Sequence, residues 1–244
     1  MRHQFPKISL MGERSILIQF EPEIGEKLLE RILLYKERIQ KDIVKVKGEV
    51  INTYNSLLIN YMHSIEDIYK DFSALKKLFG EVNIEKKFIP HLFHVPVFYD
   101  PEFGPDLDLI SEEKNLTKKE IIRLHSSPVY TVYFIGFLPG FLYLGGLDER
   151  LHISRKNEPR LEVQKGAVGI GEKQTGIYPQ NSPGGWQIIG NSPIQVFDKK
   201  NDPPCQISAG DKLKFFPVTS KEFDQISEEV ASGDYELKKE IYGS

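Results

Sequence analysis

The sequence predicts an α+β fold in two parts, on three observations. Residues 1–90 alternate β-like runs with two amphipathic helical stripes, in the order β-α-β-β-α-β. Residues 91–244 break into short β-like runs punctuated by Gly and Pro, with only two evident helices. At 244 residues and 40% hydrophobic content, the chain is long enough to build a core in each part.

In the first part, Ser15 to Phe20 reads as a strand. Pro22 then opens a helix in which Ile24, Leu28, Leu29, Ile32, Leu33 and Ile39 recur at three- and four-residue spacing. Two β-like runs follow, Val44 to Tyr54 and Ser56 to Met62. A second stripe carries Ile65, Ile68, Tyr69, Phe72, Leu75, Leu78 and Phe79, with Gly80 as the expected C-cap. Lys87 to Pro96 reads as the last strand of a ferredoxin-like split βαβ unit. In the second part the strand candidates are 94–99, 129–135, 167–170, 186–189, 194–197 and 212–216. One helix starts at Thr117, where Glu120 three residues on completes a capping box, and another covers Lys221 to Ala231. Many short strands with turn signals predict a barrel or sandwich.

Composition excludes several function classes. The net charge of −3 leaves no electrostatic footprint for nucleic acid, and Lys76-Lys77 and Lys86-Lys87 read as solvated faces. The single Cys205 excludes an internal disulfide framework and any multi-cysteine metal site, and no metal site is expected. No His or helix start stands near Cys205 to activate it, so it reads as a small apolar filler. The first twenty residues lack a signal-peptide core, and no run of 18 apolar residues occurs, so no membrane segment and a cytoplasmic location are expected. Gly166 and Gly171 have P-loop spacing, but Glu172 stands where Lys is required. Gly169-Ile170-Gly171 lacks the third glycine of a dinucleotide fingerprint.

The chemistry concentrates in residues 133–190, which hold 11 of the 19 glycines and the only tryptophan, Trp186. Such a mixture of Gly, Pro and aromatics is written for shaped loops over a rigid sheet, where ligand sites lie. Arg155 and Arg160 flank a proline-fixed turn and can hold a carboxylate or phosphate bidentately, or pair with Glu158, Glu162 or Asp148. Gln174, Tyr178, Ser182 and Trp186 combine neutral donors and acceptors with aromatic walls, suited to a small amide or carboxylate, or else form a structural turn whose Trp packs the core. His125, near a helix C-terminus, is either a cationic cap or a proton-transfer group. Asp106 and Asp108 are the acidic candidates, or cap the turn before Leu109.

GFLPGFLYLGGL (136–147) and GIYPQNSPGGWQIIG (176–190) resemble the family of 5-oxoprolinase B subunits, which includes the KipI kinase inhibitor and allophanate hydrolase subunit 1 or carboxyltransferase-type domains. VPVFYDPEFGPDL (95–107), IIRLHSSPVYTV (121–132), GDKLKFFPV (210–218) and LMGERSILIQF (10–20) extend the resemblance over nearly the whole chain. Ser154 stands where the family has proline before the first arginine, and Ala167 where it has serine. The resemblance implies a ferredoxin-like domain over 1–90 and a cyclophilin-like β-barrel over 91–244. It also implies partners, subunits A and C, with which such a chain opens 5-oxo-L-proline to L-glutamate. ATP and magnesium would act at the level of the complex, with no cofactor evident on this chain. On that reading Arg155 and Arg160 hold anionic groups, Gln174, Tyr178 and Ser182 orient the lactam, Trp186 forms a wall and His125 moves a proton. The alternatives are a KipI-like inhibitor of a sensor histidine kinase, or a urea- or allophanate-related carboxyltransferase component.

Overall fold

The computed structural model describes residues 6–81 and 88–243. The chain divides into two compact units, Met1–Phe88 and Ile89–Ser244. The fold is α+β, with three sheets and five α-helices among the described residues. No helix there is long and apolar enough to cross a membrane.

The first unit holds β1 (Lys7–Met11), β2 (Ser15–Gln19), α1 (Glu26–Arg38), β3 (Gly48–Asn52), β4 (Ser56–Tyr61) and α2 (Ile68–Glu81). Its sheet runs β1-β2-β4-β3 and is antiparallel throughout. Alternate strand residues Ile16, Ile18, Leu57, Ile59 and Val50 bury one face against Leu28, Ile32, Tyr35, Leu75 and Leu78 of the two helices. Three expectations need correction. Ile24 precedes α1 and is 61% exposed, because the helix begins only at Glu26. Val44 ends a π-helical extension of α1 over Ile39–Val44, so β3 starts four residues later. Gly80 lies inside α2 instead of capping it.

The larger correction concerns the strand expected after α2. It forms as β5 (His91–Val97), but it pairs within the second unit. The sheet edge that a split βαβ unit gives its last strand is taken by β1, folded onto β2 through a hairpin with Gly12 at φ 65°. Lys86 and Lys87 lie outside the described residues.

The second unit continues with α3 (Leu107–Lys114), α4 (Lys118–Ser126), β6 (Tyr130–Ile135), β7 (Leu142–Gly145), β8 (Arg160–Val163), β9 (Ala167–Gly171), β10 (Gln174–Ile177), β11 (Ser182–Gly184), β12 (Gln187–Asn191), β13 (Lys212–Pro217), α5 (Ser220–Ser232) and β14 (Lys239–Ile241). The Thr117 capping box forms as expected, with the Glu120 N–H donating to Thr117 Oγ1 and the Thr117 N–H to the Glu120 carboxylate. Residues 194–197, expected as a strand, form none. The main sheet runs β12-β9-β10-β7-β6-β13-β5-β14, and β8 pairs with β11 apart from it. The expected closed barrel is not formed by this ladder. Only a bridge between Phe98 and Asn191, two backbone hydrogen bonds of 2.8 and 3.0 Å, joins the continuation of β5 to β12.

Three glycines of the 133–190 segment are explained by one side chain, Trp186. Gly169 and Gly171 share a face of β9, and Gly176 on β10 pairs with Gly169. A Cβ on Gly171 would lie 2.6 Å from Trp186 Nε1, and one on Gly176 3.2 Å from the same ring. The three glycines form a floor on which the indole lies, 4% exposed. Gly171→Ala is expected to destabilise the protein by about 1–3 kcal/mol through overpacking. Denaturant titration followed by the fluorescence of the sole tryptophan checks this, and an unchanged midpoint and spectrum would refute the close contact.

Candidate functional site

Strand β10 divides the expected site residues between two faces. Gln174, Gly176 and, just past the strand, Tyr178 alternate onto the Trp186 side, while Thr175 and Ile177 point into the main core. The structure therefore brings Arg155, Arg160, Gln174, Tyr178 and Trp186 to one side and leaves His125 behind the sheet.

On the Trp186 side the rings are tightly assembled. Trp186 meets Phe141 edge-on at 5.3 Å, and Phe141 meets Tyr178 at 5.1 Å and Tyr143 at 4.9 Å. The Arg155 guanidinium sits 5.7 Å above the Trp186 ring, a cation–π contact. Arg155 is exposed and has no acidic partner among the described residues. Burial pushes the Tyr178 phenol up, and the Trp186 backbone hydrogen bond and the nearby Arg155 oppose that shift. Burial raises Tyr143 as well, again with Arg155 in opposition. The Gln174 Oε1 is buried without a hydrogen-bond partner among the described residues, a cost that a donor would relieve. Ser182 is 8% exposed, and its hydroxyl donates to the carbonyl of Pro183 at 3.2 Å.

Arg160 behaves differently from Arg155. Its Nη2 donates to Asp106 Oδ1 at 2.7 Å, and Lys156 Nζ reaches the same oxygen at 3.5 Å. The other Asp106 oxygen accepts from the Ile188 N–H at 2.6 Å. Of the acids expected to compete for the arginines, Asp148 holds Arg150 and Glu162 accepts from Asn181, while Glu158 is exposed. Asp106 is 3% exposed, so it is the hub that ties the 155–160 turn to β12. Asp108 instead pairs with Lys118 at 2.7 Å on the surface.

His125 is wholly buried in the main core. Thr175 Oγ1 donates to the Gly169 carbonyl at 2.9 Å, so it accepts from His125 Nε2 at 2.8 Å. Nδ1 is then left to accept from the Tyr99 hydroxyl at 2.7 Å. Phe215 stacks on the ring at 4.7 Å. Burial lowers its pKa to about 3, so the ring is neutral and the cationic cap, one of the two roles the sequence offers it, does not form. The unfolded chain takes up a proton below about pH 6.5 while the native ring does not. The contribution of His125 to stability is therefore expected to be constant above that pH and to fall by up to about 1.4 kcal/mol per pH unit toward pH 3. Urea titrations across this window, with His125→Gln flattening the slope, check it; a wild-type slope retained in the variant counts against this assignment.

Sequence reasoning passed over Phe141, Tyr143 and Phe137. Phe137 holds a left-handed φ of 68° and is 63% exposed, with its ring 5.7 Å from Phe141. A left-handed non-glycine residue between two glycine-containing turns is visible only in the backbone. Among the described residues no three His, Cys, Asp or Glu side chains form a metal-binding group. A triphosphate needs several convergent donors, yet Asp106 engages both Arg160 and Lys156. The described residues of this face fit one carboxylate or phosphoryl group and do not fit ATP with its magnesium.

Residues 6–207 match the family described as carboxyltransferase domain, subdomain C and D. The B subunit of 5-oxoprolinase from Bacillus subtilis is 32% identical over 91% of this chain and 97% of its own length. That of Haemophilus influenzae is 37% identical over 84% of this chain and 94% of its own. Among solved structures, TTHA0988 superposes with a TM-score of 0.73 at 29% identity, covering 85% of this chain. The chain spans only 40% of that longer protein. A family match over most of its length, with relatives matched nearly end to end, means that this chain belongs to the carboxyltransferase domain, subdomain C and D, family together with the B subunits of 5-oxoprolinase.

Proposed function

We propose that this chain is the B subunit of an ATP-dependent 5-oxoprolinase complex, which opens 5-oxo-L-proline to L-glutamate. The observation that carries the reading is the nearly end-to-end match to 5-oxoprolinase B subunits at 32–37% identity. Subunits A and C are the proposed partners, and ATP with its magnesium is proposed to bind on a partner or a surface shared with one. The two compact units support a ferredoxin-like first domain, with β1 in place of its last strand, and a cyclophilin-like second domain whose sheet is drawn together at Phe98 and Asn191.

The side chains on the Trp186 face suit the substrate's chemistry. 5-Oxoproline carries one carboxylate, one lactam N–H and an apolar ring edge. Arg155, without an acidic partner among the described residues, suits the carboxylate. Gln174 Oε1 lacks a donor, which the lactam N–H supplies. The exposed Phe137 ring offers an apolar surface to the methylenes. Arg160 is proposed to position the turn through Asp106, and His125 to pack the core beneath it.

The test is glutamate release from 5-oxoproline and ATP by the purified three-subunit complex. No release by the complex would overturn the functional reading. In the active complex, Arg155→Ala is expected to lower kcat/KM about 10- to 100-fold, the worth of one charge-assisted contact, with Arg155→Lys intermediate. An unchanged kcat/KM in Arg155→Ala would sink the site assignment while leaving the function standing.

A further inference from the structure

The first unit contains a cavity of about 730 Å³, in the range that holds small organic ligands. It lies between α1, α2 and the end of β2, within one unit and remote in sequence from the 133–190 segment. Phe20, Tyr35 and Phe79 line it with three mutually packed rings: Phe20 stacks on Tyr35 at 5.7 Å, and Tyr35 meets Phe79 edge-on at 4.8 Å. Arg31 and Lys76 supply two cations and Glu21 one carboxylate, leaving a net positive charge among the lining residues.

Arg31 gives the cavity a direction. One arm of its guanidinium is held by Glu21, and the group lies 5.8 Å from the Phe20 ring centre. Its Nε is buried without a hydrogen-bond partner among the described residues. A buried guanidinium N–H without an acceptor costs free energy that a ligand oxygen would recover.

We propose that this cavity is a binding site for a small planar monoanion, an aromatic carboxylate, whose ring packs against Phe20, Tyr35 and Phe79 while its carboxylate bonds Arg31. Lys76, on the exposed side of α2, adds attraction without a fixed geometry. Glu21 holds Arg31 in place, but its charge also opposes the ligand's. This site does not rest on the 5-oxoprolinase reading.

The test uses the full chain, with benzoate and indole-3-acetate as probes, cyclohexanecarboxylate as the non-planar control and benzyl alcohol as the uncharged one. Binding is followed by chemical-shift perturbation of the amides of α1 and α2 and by calorimetry. Both planar acids are expected to bind with dissociation constants in the millimolar range or tighter, and each control at least about tenfold more weakly. Arg31→Lys keeps the charge but loses the Nε donor, and is expected to weaken binding about tenfold. Glu21→Gln removes the opposing charge and is expected to tighten it severalfold. Lys76→Ala is expected to weaken it slightly, in a salt-dependent way. Because Glu21→Gln changes affinity upward, loss of folding cannot imitate the pattern, and circular dichroism of each variant checks that it remains folded. Absence of shifts in α1 and α2, equal binding of cyclohexanecarboxylate, or equal affinity in Arg31→Lys and Glu21→Gln would each overturn the proposal.

Discussion

The placement of the Trp186 indole on a floor of three glycines is the constraint on which the second unit's functional face depends. A ring of that size cannot lie flat on a β-sheet whose facing positions carry Cβ atoms, and Gly169, Gly171 and Gly176 remove all three. Once seated, the indole sets the positions of Phe141 and Tyr143 around its edge and leaves its outer side near Arg155. The backbone hydrogen bond from Trp186 to the Tyr178 hydroxyl then ties the ring cluster to the segment just past β10. The chemistry presented to solvent is thus a consequence of close packing beneath it.

Asp106 does the same for the charged part. It is a buried carboxylate that meets an arginine, a lysine and a backbone N–H, so its desolvation is offset by three partners at once. By engaging Arg160 and Lys156 it leaves Arg155 as the cation of that turn without an acid among the described residues. Three basic residues within six positions look equivalent in sequence, yet one carboxylate that arrives from fifty residues upstream divides them into two supports and one presented group.

What could be read from the sequence follows the range of the forces involved. The capping box at Thr117 and Glu120 and the stripes of α1 and α2 are local patterns, and the structure contains them. The burial of Ile16, Ile18, Leu57 and Ile59 follows from simple alternation. Strand partnership is not local: His91–Val97 reads equally well as the last strand of the first unit or the first of the second, and only its pairing with β13 decides. The same holds for the site. Arg155, Gln174, Tyr178 and Trp186 were legible as candidates because their segment is unusual, whereas the sheet face of each residue depends on register. His125 has a reactive side chain in isolation, and only three-dimensional packing reveals that burial holds it neutral between Thr175 and Tyr99.

The pairing of β5 with β13 has a consequence for how the chain comes to be folded. It is the sole parallel pair among the described strands, and it joins residues 91–97 to residues 212–217. The intervening segment must be enclosed before these strands meet, a contact of high sequence separation whose loop entropy is lost before any hydrogen bond is gained. The first unit needs nothing beyond residue 88 for its own sheet, so it can mature while the ribosome is still extending the second. Until residue 217 emerges, β5 remains an apolar strand with both edges unpaired. The nascent chain must keep it from other molecules for more than a hundred residues of synthesis.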